Sequence, residues 1–251
     1  MVVDTKDRPA AGARTRALRV PGQRYPMAAL NFYRSAVGKK MVMAVTGLIL
    51  LGFVFIHMLG NLKVYLGAED INAYGAWLRT VGHPALPDKV ALWAARLVLI
   101  GAVVLHIHAA VSLTVLNRKA RPVGYHSKRD YVAANYAART MKYSGIIVIA
   151  FIIYHLLHFT YGTVHPDFVE GDVYHNMVEG FSQVPVSIVY IVANLLLGLH
   201  IYHGSWSFLQ TLGFRGARSF FWQRVFPVAF TAVIVLGNIS FPIAVMTGVV
   251  D

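Results

Sequence analysis

Cysteine is absent from all 251 residues. That excludes an internal disulfide framework, a thiolate zinc site, an iron–sulfur cluster bound by this chain and covalent attachment of a c-type haem. Charge is scarce as well: 14% of residues are charged and 57% apolar, whereas soluble domains run near a quarter charged, which points away from an ordinary globular enzyme. Acidic residues are the rarer sign, 11 against 23 Lys and Arg, leaving a net charge of +12. A nucleic-acid binder does not fit that excess, because the apolar residues lie in long uninterrupted runs rather than short amphipathic segments. No repeat, zinc-type spacing or phosphate-binding glycine loop stands out.

What the chain does have is five apolar stretches near 40–62, 90–116, 143–162, 184–211 and 225–248. Each supplies the ~20 helical residues that a bilayer crossing requires. The fold class expected is all-α: an integral membrane bundle of five transmembrane helices (38–251) behind a basic N-terminal segment (1–37). The basic residues orient it. Nine of the 23 lie in residues 1–40, seven between Arg118 and Lys142, and three between Arg215 and Arg224, which is nineteen on one side. Lys63, Arg79 and Lys89 lie on the other side, and Arg96 lies inside the second span. Eight of the 11 acidic residues fall on the side poor in Lys and Arg. Positive loops stay cytoplasmic, so the N-terminus is expected inside and Asp251 outside.

Histidine is costly inside a membrane and marks a functional site by default. Spans 1 to 4 each carry it: His57; His106 and His108; His155 and His158; His200 and His203. A hydrogen-bonded structural role explains any one of them taken singly, but not four consecutive spans alike. Depth sorts them. His57 lies six residues before Lys63 and His155 seven before Gly162, each roughly 10 Å from its outer end. His106 lies 17 residues after Lys89 and His200 16 after Val184, roughly 25 Å from theirs. Two depths, each served by two helices, suit two stacked bis-histidine haems: an outer one between spans 1 and 3, an inner one between spans 2 and 4. With no cysteine these are non-covalent b haems, and filled axial positions favour electron transfer over substrate binding.

His106 and His108 are about 200° apart around a helix, so at most one faces the interior. His106 shares its face with Ala102, Ala109 and Ala110, and His200 with Ala193, Gly204 and Ser207. Those small residues would admit a flat macrocycle and favour the first histidine of each pair. His155 and His158 are barely separated, and His108, His158 and His203 stay open as alternative ligands or as propionate or quinone contacts. Propionate partners are Arg96 for the outer haem and Arg34, Ser35, Lys39 and Lys40 for the inner one, with cytoplasmic anchoring the alternative role for the lysines. A quinone pocket needs hydrogen-bond donors near an interface. Tyr74, Trp77, Arg79 and His83 offer this on the outer side, and Ser205, Trp206 and Gln210 toward the inner side. An aromatic belt is the alternative for both groups.

At these residues the chain resembles the cytochrome b membrane anchor of succinate dehydrogenase and quinol:fumarate reductase, of the single-subunit, five-helix, diheme type. The resemblance runs from about Phe32 onward. It rests on GKKMVMAVTGLILLGFVFIHMLGN (38–61), LHIHAAVSLTVLNR (105–118), FIIYHLLHFTYG (151–162), VYHNMVEGF (173–181) and LGLHIYHGSWSFLQTLG (197–213). It implies His57, His155, His106 and His200 as the iron ligands, paired span 1 with 3 and span 2 with 4. It also implies a multi-pass place in a bacterial cell membrane, and a role as the electron-transfer and quinone-reactive subunit of respiratory complex II. A flavoprotein with FAD and an iron–sulfur subunit would dock on the cytoplasmic side and carry the dicarboxylate chemistry, and menaquinone is the quinone the family type suggests. The sequence departs from some diheme fumarate reductases, which have Glu two residues before the span-4 ligand; here that position is Gly198, and no span holds Asp or Glu. Diheme subunits of hydrogenases or formate dehydrogenases are alternatives within the class. A His-lined transporter is the alternative outside it, and it would be expected to use membrane-embedded carboxylates.

Overall fold

The computed structural model describes residues 28–120, 136–214 and 217–251, with side chains over 31–120, 141–214 and 222–251. Residues 1–27 of the basic segment, and Arg121, Lys128, Arg129 and Arg215, lie outside the described residues. Among the described residues every regular element is a helix: α1 (Ala28–Arg34), α2 (Ala36–Asn61) continued by a 3-10 turn (Leu62–Leu66), α3 (Ala68–Thr80), α4 (Val90–Lys119), α5 (Tyr136–Phe159), α6 (Val173–Ser182), α7 (Val184–Thr211) and α8 (Ala217–Met246). Five spans are long and apolar enough to cross a membrane: Ala36–Leu66, Val90–Lys119, Met141–Phe159, Val184–Thr211 and Trp222–Met246. All five expected stretches are therefore helical, and the differences lie at their ends.

Those ends have local causes. α2 starts at Ala36 because Ser35 caps it: its Oγ accepts from the Gly38 N–H at 2.9 Å and donates to the Phe32 carbonyl at 2.6 Å. The third span was expected to reach Gly162 but leaves the helix after Phe159. The N–H groups of Thr160 and Tyr161 both turn back to the Leu156 carbonyl, at 3.0 and 2.9 Å. Gly162 then takes φ +71°, a left-handed conformation that costs a residue without Cβ little.

Helices α3 and α6 are the elements that apolar run-length alone does not reveal. They pack on each other at the end of the bundle that also holds the C-terminus, where the Tyr174 hydroxyl donates to the Asp251 carbonyl at 3.0 Å. Asn72 ties them together, donating to Asp172 Oδ1 at 2.9 Å and accepting from the Tyr174 N–H at 3.0 Å. Asp172 is also the N-cap of α6, accepting from the His175 N–H at 3.0 Å. Beneath them Val64, Ile71, Met177, Phe181, Tyr190 and Phe241 form a buried apolar cluster that seals this capped end. The opposite end carries α1 and the basic residues Arg34, Lys39, Lys40, Arg118 and Lys119, and is called the basic end below.

Between the two ends the long helices pair off. α2 packs along α4, α5 along α7, and α8 lies against α7 and α2. The backbone of α2 makes almost no contact with α5, and that of α4 almost none with α5 or α7. A cleft therefore runs between the α2/α4 pair and the α5/α7 pair, closed on one side by the α2–α7 and α8 contacts.

The Asp172 carboxyl is held below its usual range, first by the backbone N–H of His175 and then by the Asn72 amide. A lowered folded-state pKa adds stability that is present above the ordinary carboxylate value of about 3.9 and is lost as pH falls through the lowered one. The exchange protection of α6, measured against the intrinsic amide rate at each pH, is thus expected to stay flat from pH 7 to 5 and to fall only below about pH 4. Asp172→Ala should cost about 1 kcal/mol at neutral pH, the usual worth of an N-cap, with early exchange confined to α3 and α6.

Candidate functional site

Each span histidine sits where its helix meets the cleft or turns from it. On the level nearer the basic end, His106 of α4 and His200 of α7 face each other with ring centres 6.4 Å apart and planes inclined at 59°. On the level nearer the cap, His57 of α2 and His155 of α5 do the same at 5.9 Å and 85°. Two imidazoles ligating one ion from opposite sides, at ~2 Å per metal–nitrogen bond, have centres about 6 Å apart. Edge-to-face packing of two rings gives similar spacings. Here the backbones of the helices carrying each pair barely approach, and the imidazoles face each other across the cleft. An open apolar groove of about 450 Å³ lies on the α2/α4 pair, lined by Val42, Val45, Thr46, Ile49, Gly101 and Ala102. The two facing imidazole pairs are a donor set that fits two bis-histidine haems.

The remote nitrogens on the lower level are engaged. Thr46 Oγ1 lies 3.2 Å from His106 Nδ1, and Ser144 Oγ lies 3.2 Å from His200 Nδ1. Glycine follows each hydroxyl residue and lies against the ring: a Cβ on Gly47 would stand in ordinary contact 3.4 Å from His106 Cε1, and one on Gly145 3.5 Å from His200 Cε1. On the upper level the Tyr190 hydroxyl lies 3.4 Å from His155 Nδ1, while His57 stacks on Phe53 at 5.3 Å.

These contacts expose a repeat that the linear sequence did not display. Thr46-Gly47 and His57 correspond to Ser144-Gly145 and His155, both at an offset of 98 residues, with Met43/Met141 and Phe53/Phe151 in the same register. Leu105-His106-Ile107 likewise corresponds to Leu199-His200-Ile201 in α4 and α7, with Ala110 and Gly204 four residues beyond each histidine. The substitutions between the copies hide the relation until the shared contacts align them. Thr46 precedes His57 by eleven residues, so the two histidine levels are about 16 Å apart along the bundle.

No family description, curated protein or solved structure matches this chain.

The second histidine of each pair turns elsewhere. His108 is exposed, stacked on Tyr33 of α1 at 5.8 Å and hydrogen-bonded to its hydroxyl. His158 is fully buried away from the cleft, its Nδ1 3.1 Å from the Tyr190 hydroxyl, its ring 4.7 Å from His165, and its Nε2 without a hydrogen-bond partner. His203 keeps Nδ1 buried and unpartnered. Of the propionate candidates, Ser35 is occupied as the α2 cap. Lys39 Nζ donates to the Tyr33 and Arg34 carbonyls at 3.1 and 3.0 Å. Arg34 and Lys40 are exposed. Arg96 is exposed with its guanidinium 5.0 Å from the Trp93 ring centre. It stands ten residues before His106, about 15 Å along α4, which is near the height of the upper pair.

The quinone candidates divide. Trp77 and His83 line a cavity of about 450 Å³ at the capped end with Thr80, Gly82 and Asp88. Tyr74 packs instead against Trp77 and under Lys63, with ring centres 5.8 Å apart and Nζ 5.8 Å from the ring, and Arg79 is exposed at the end of α3. Toward the basic end Ser205 is buried with an unpartnered Oγ, and Trp206 and Gln210 are half-buried. Sequence reading missed Thr46, Ser144, Tyr190 and His165. The recoverable signal was the hydroxyl-glycine pair eleven residues ahead of His57 and again of His155.

Tyr190 joins the upper pair to the buried His158. Tyr190→Phe keeps the ring packing but leaves both histidine nitrogens facing a hydrocarbon edge. Losing a buried polar partner costs ~1–3 kcal/mol, so thermal unfolding in detergent should fall by several degrees. An unchanged midpoint would mean that water already satisfies these nitrogens.

Proposed function

We propose that this chain is the membrane anchor and diheme cytochrome b subunit of a succinate:quinone oxidoreductase, respiratory complex II. The observation that carries the reading is the double pairing across the cleft, His57 with His155 at 5.9 Å and His106 with His200 at 6.4 Å. A b haem ligated on both faces supplies reversible one-electron transfer and no open site for oxygen or substrate. The chain's own residues do the rest. The four imidazoles bind and orient the two groups about 16 Å apart along the bundle. The apolar faces of α2, α4, α5 and α7 exclude water. Arg96 near the upper level, and Arg34 and Lys40 at the basic end, offer cations for propionates.

The basic end is taken as cytoplasmic, where flavoprotein and iron–sulfur subunits would dock and deliver electrons, and the bacterial cell membrane as the location. Menaquinone is the proposed acceptor. The open pocket lined by Trp77 and His83 is the favoured quinone site, since it brings two rings and the Asp88 carboxylate together at the capped end. Hydrogenase- and formate dehydrogenase-type diheme subunits would use the same histidine geometry. The enzyme that co-purifies separates them: succinate:quinone reductase activity in the native complex supports the present reading, and hydrogen or formate oxidation would replace it.

Membranes containing the chain should show dithionite-reducible b-type absorbance with two haems per chain. His57→Ala or His155→Ala should remove one haem, and His106→Ala or His200→Ala the other, leaving about one per chain in each case. Absence of reducible b-type absorbance with the chain present would end the haem reading. Loss of a haem in His108→Ala with two retained in His106→Ala would reassign the α4 ligand.

A further inference from the structure

Resting on the diheme reading, we infer that Thr46 and Ser144 are positioning residues for the lower haem, although the helices that carry them ligate the upper one. Each hydroxyl has a single proton, and in both cases a backbone carbonyl of the same helix takes it: Val42 from Thr46 at 2.7 Å, and Met141 from Ser144 at 3.0 Å. What remains toward the imidazole is a lone pair. Thr46 Oγ1 therefore accepts from His106 Nδ1–H at 3.2 Å, and Ser144 Oγ accepts from His200 Nδ1–H at 3.2 Å. That fixes both imidazoles as the Nδ1–H tautomer, with Nε2 carrying the lone pair a metal requires. Both hydroxyl residues are nearly sealed from solvent, Thr46 at 5% and Ser144 at 4% exposure, so no water competes for the bond.

The arrangement occurs twice, on equivalent positions of α2 and α5, which a chance contact between a hydroxyl and a ring would not produce. It is confined to one level. Of the upper ligands, His155 meets Tyr190 at the longer distance of 3.4 Å and His57 rests against Phe53. α2 and α5 thus each serve both haems, holding one directly and bracing the other through the neighbouring helix. An acceptor on Nδ1–H makes the imidazole a stronger donor and favours ferric iron. Removing it should raise the midpoint potential of that haem and weaken its retention by about 10-fold or more.

The test compares Thr46→Val, Ser144→Ala, Thr46→Ser and Tyr190→Phe in the assembled complex. The readouts are the low-spin ferric resonances, the two midpoint potentials and haem loss to apomyoglobin. Thr46→Val and Ser144→Ala should shift the resonance and potential of the same haem, the one removed by His106→Ala, and leave the other unmoved. Thr46→Ser should restore the native values, and Tyr190→Phe should act on the other haem alone. Unchanged resonances and potentials in both Thr46→Val and Ser144→Ala would overturn the inference while leaving the haem reading intact. So would equal shifts of the two haems in a folded variant. If Thr46→Val loses haem altogether, Ser144→Ala and Thr46→Ser carry the comparison, and failure of Thr46→Ser to recover the signal counts against it. Native complex with no low-spin haem signal would instead refute the proposed function.

Discussion

Hydrocarbon offers no partner for a polar group, and the rest of this molecule follows from that. Every backbone amide has to be bonded within its own segment, which forces five long helices out of a chain whose apolar runs would otherwise have several options. Several hydroxyl side chains meet the same need by bonding one turn back, as Thr46 does to Val42, Thr114 to Ala110 at 2.9 Å and Thr211 to Ser207 at 3.0 Å. A hydroxyl so committed has only its lone pairs to give to a neighbouring helix. Imidazoles need such acceptors, and the two that face each other near the basic end find them in Thr46 and Ser144. The solvent's poverty in polar partners is thereby turned into control over which nitrogen of each ring stays free.

The two ends of the bundle are built differently, in keeping with different tasks. The capped end is closed by hydrogen bonds of polar side chains to one another and to the backbone. Asn72 and Asp172 join α3 to α6, and Asn176 both donates to and accepts from the backbone of Val169, at 2.7 and 2.8 Å. His165 is fixed there too, donating from Nε2 to the Asn176 carbonyl at 2.8 Å and accepting from the Asp167 N–H at 3.1 Å. Such a lid suits a bundle end that keeps water from the upper histidine pair. The basic end instead presents exposed Arg34, Lys40, Arg118 and Lys119. It offers a charged platform rather than a seal.

Run-length and charge were enough to read the five helices, because both are properties of single segments. The depth argument put His57 level with His155 and His106 level with His200, and their rings face each other, since position along a helix converts to height at a fixed rise. Rotation about the helix was harder. His155 and His158 lie near one another in angle, and only the packing of Tyr190 and His165 around His158 separates them. The short helices α3 and α6 left little trace in hydropathy because capping and a two-sided polar network hold them. The hydroxyls of Thr46 and Ser144 looked like ordinary small residues, since their meaning depends on a ring 60 and 56 positions away.

The offset of 98 residues between Thr46/His57 and Ser144/His155 carries an architectural consequence. α2 and α5 run in the same direction, as do α4 and α7, so the two hairpins are related by rotation about an axis along the bundle rather than by inversion. Both histidine pairs then straddle that axis, each contributed half by one hairpin and half by its counterpart. A single hairpin associated with its own twin would bring four histidines and two hydroxyls into the same places. In this chain α8 lies against one flank only, so the two sides of the cleft are no longer equivalent. The fifth span is the element that makes a rotationally symmetric scaffold one-sided.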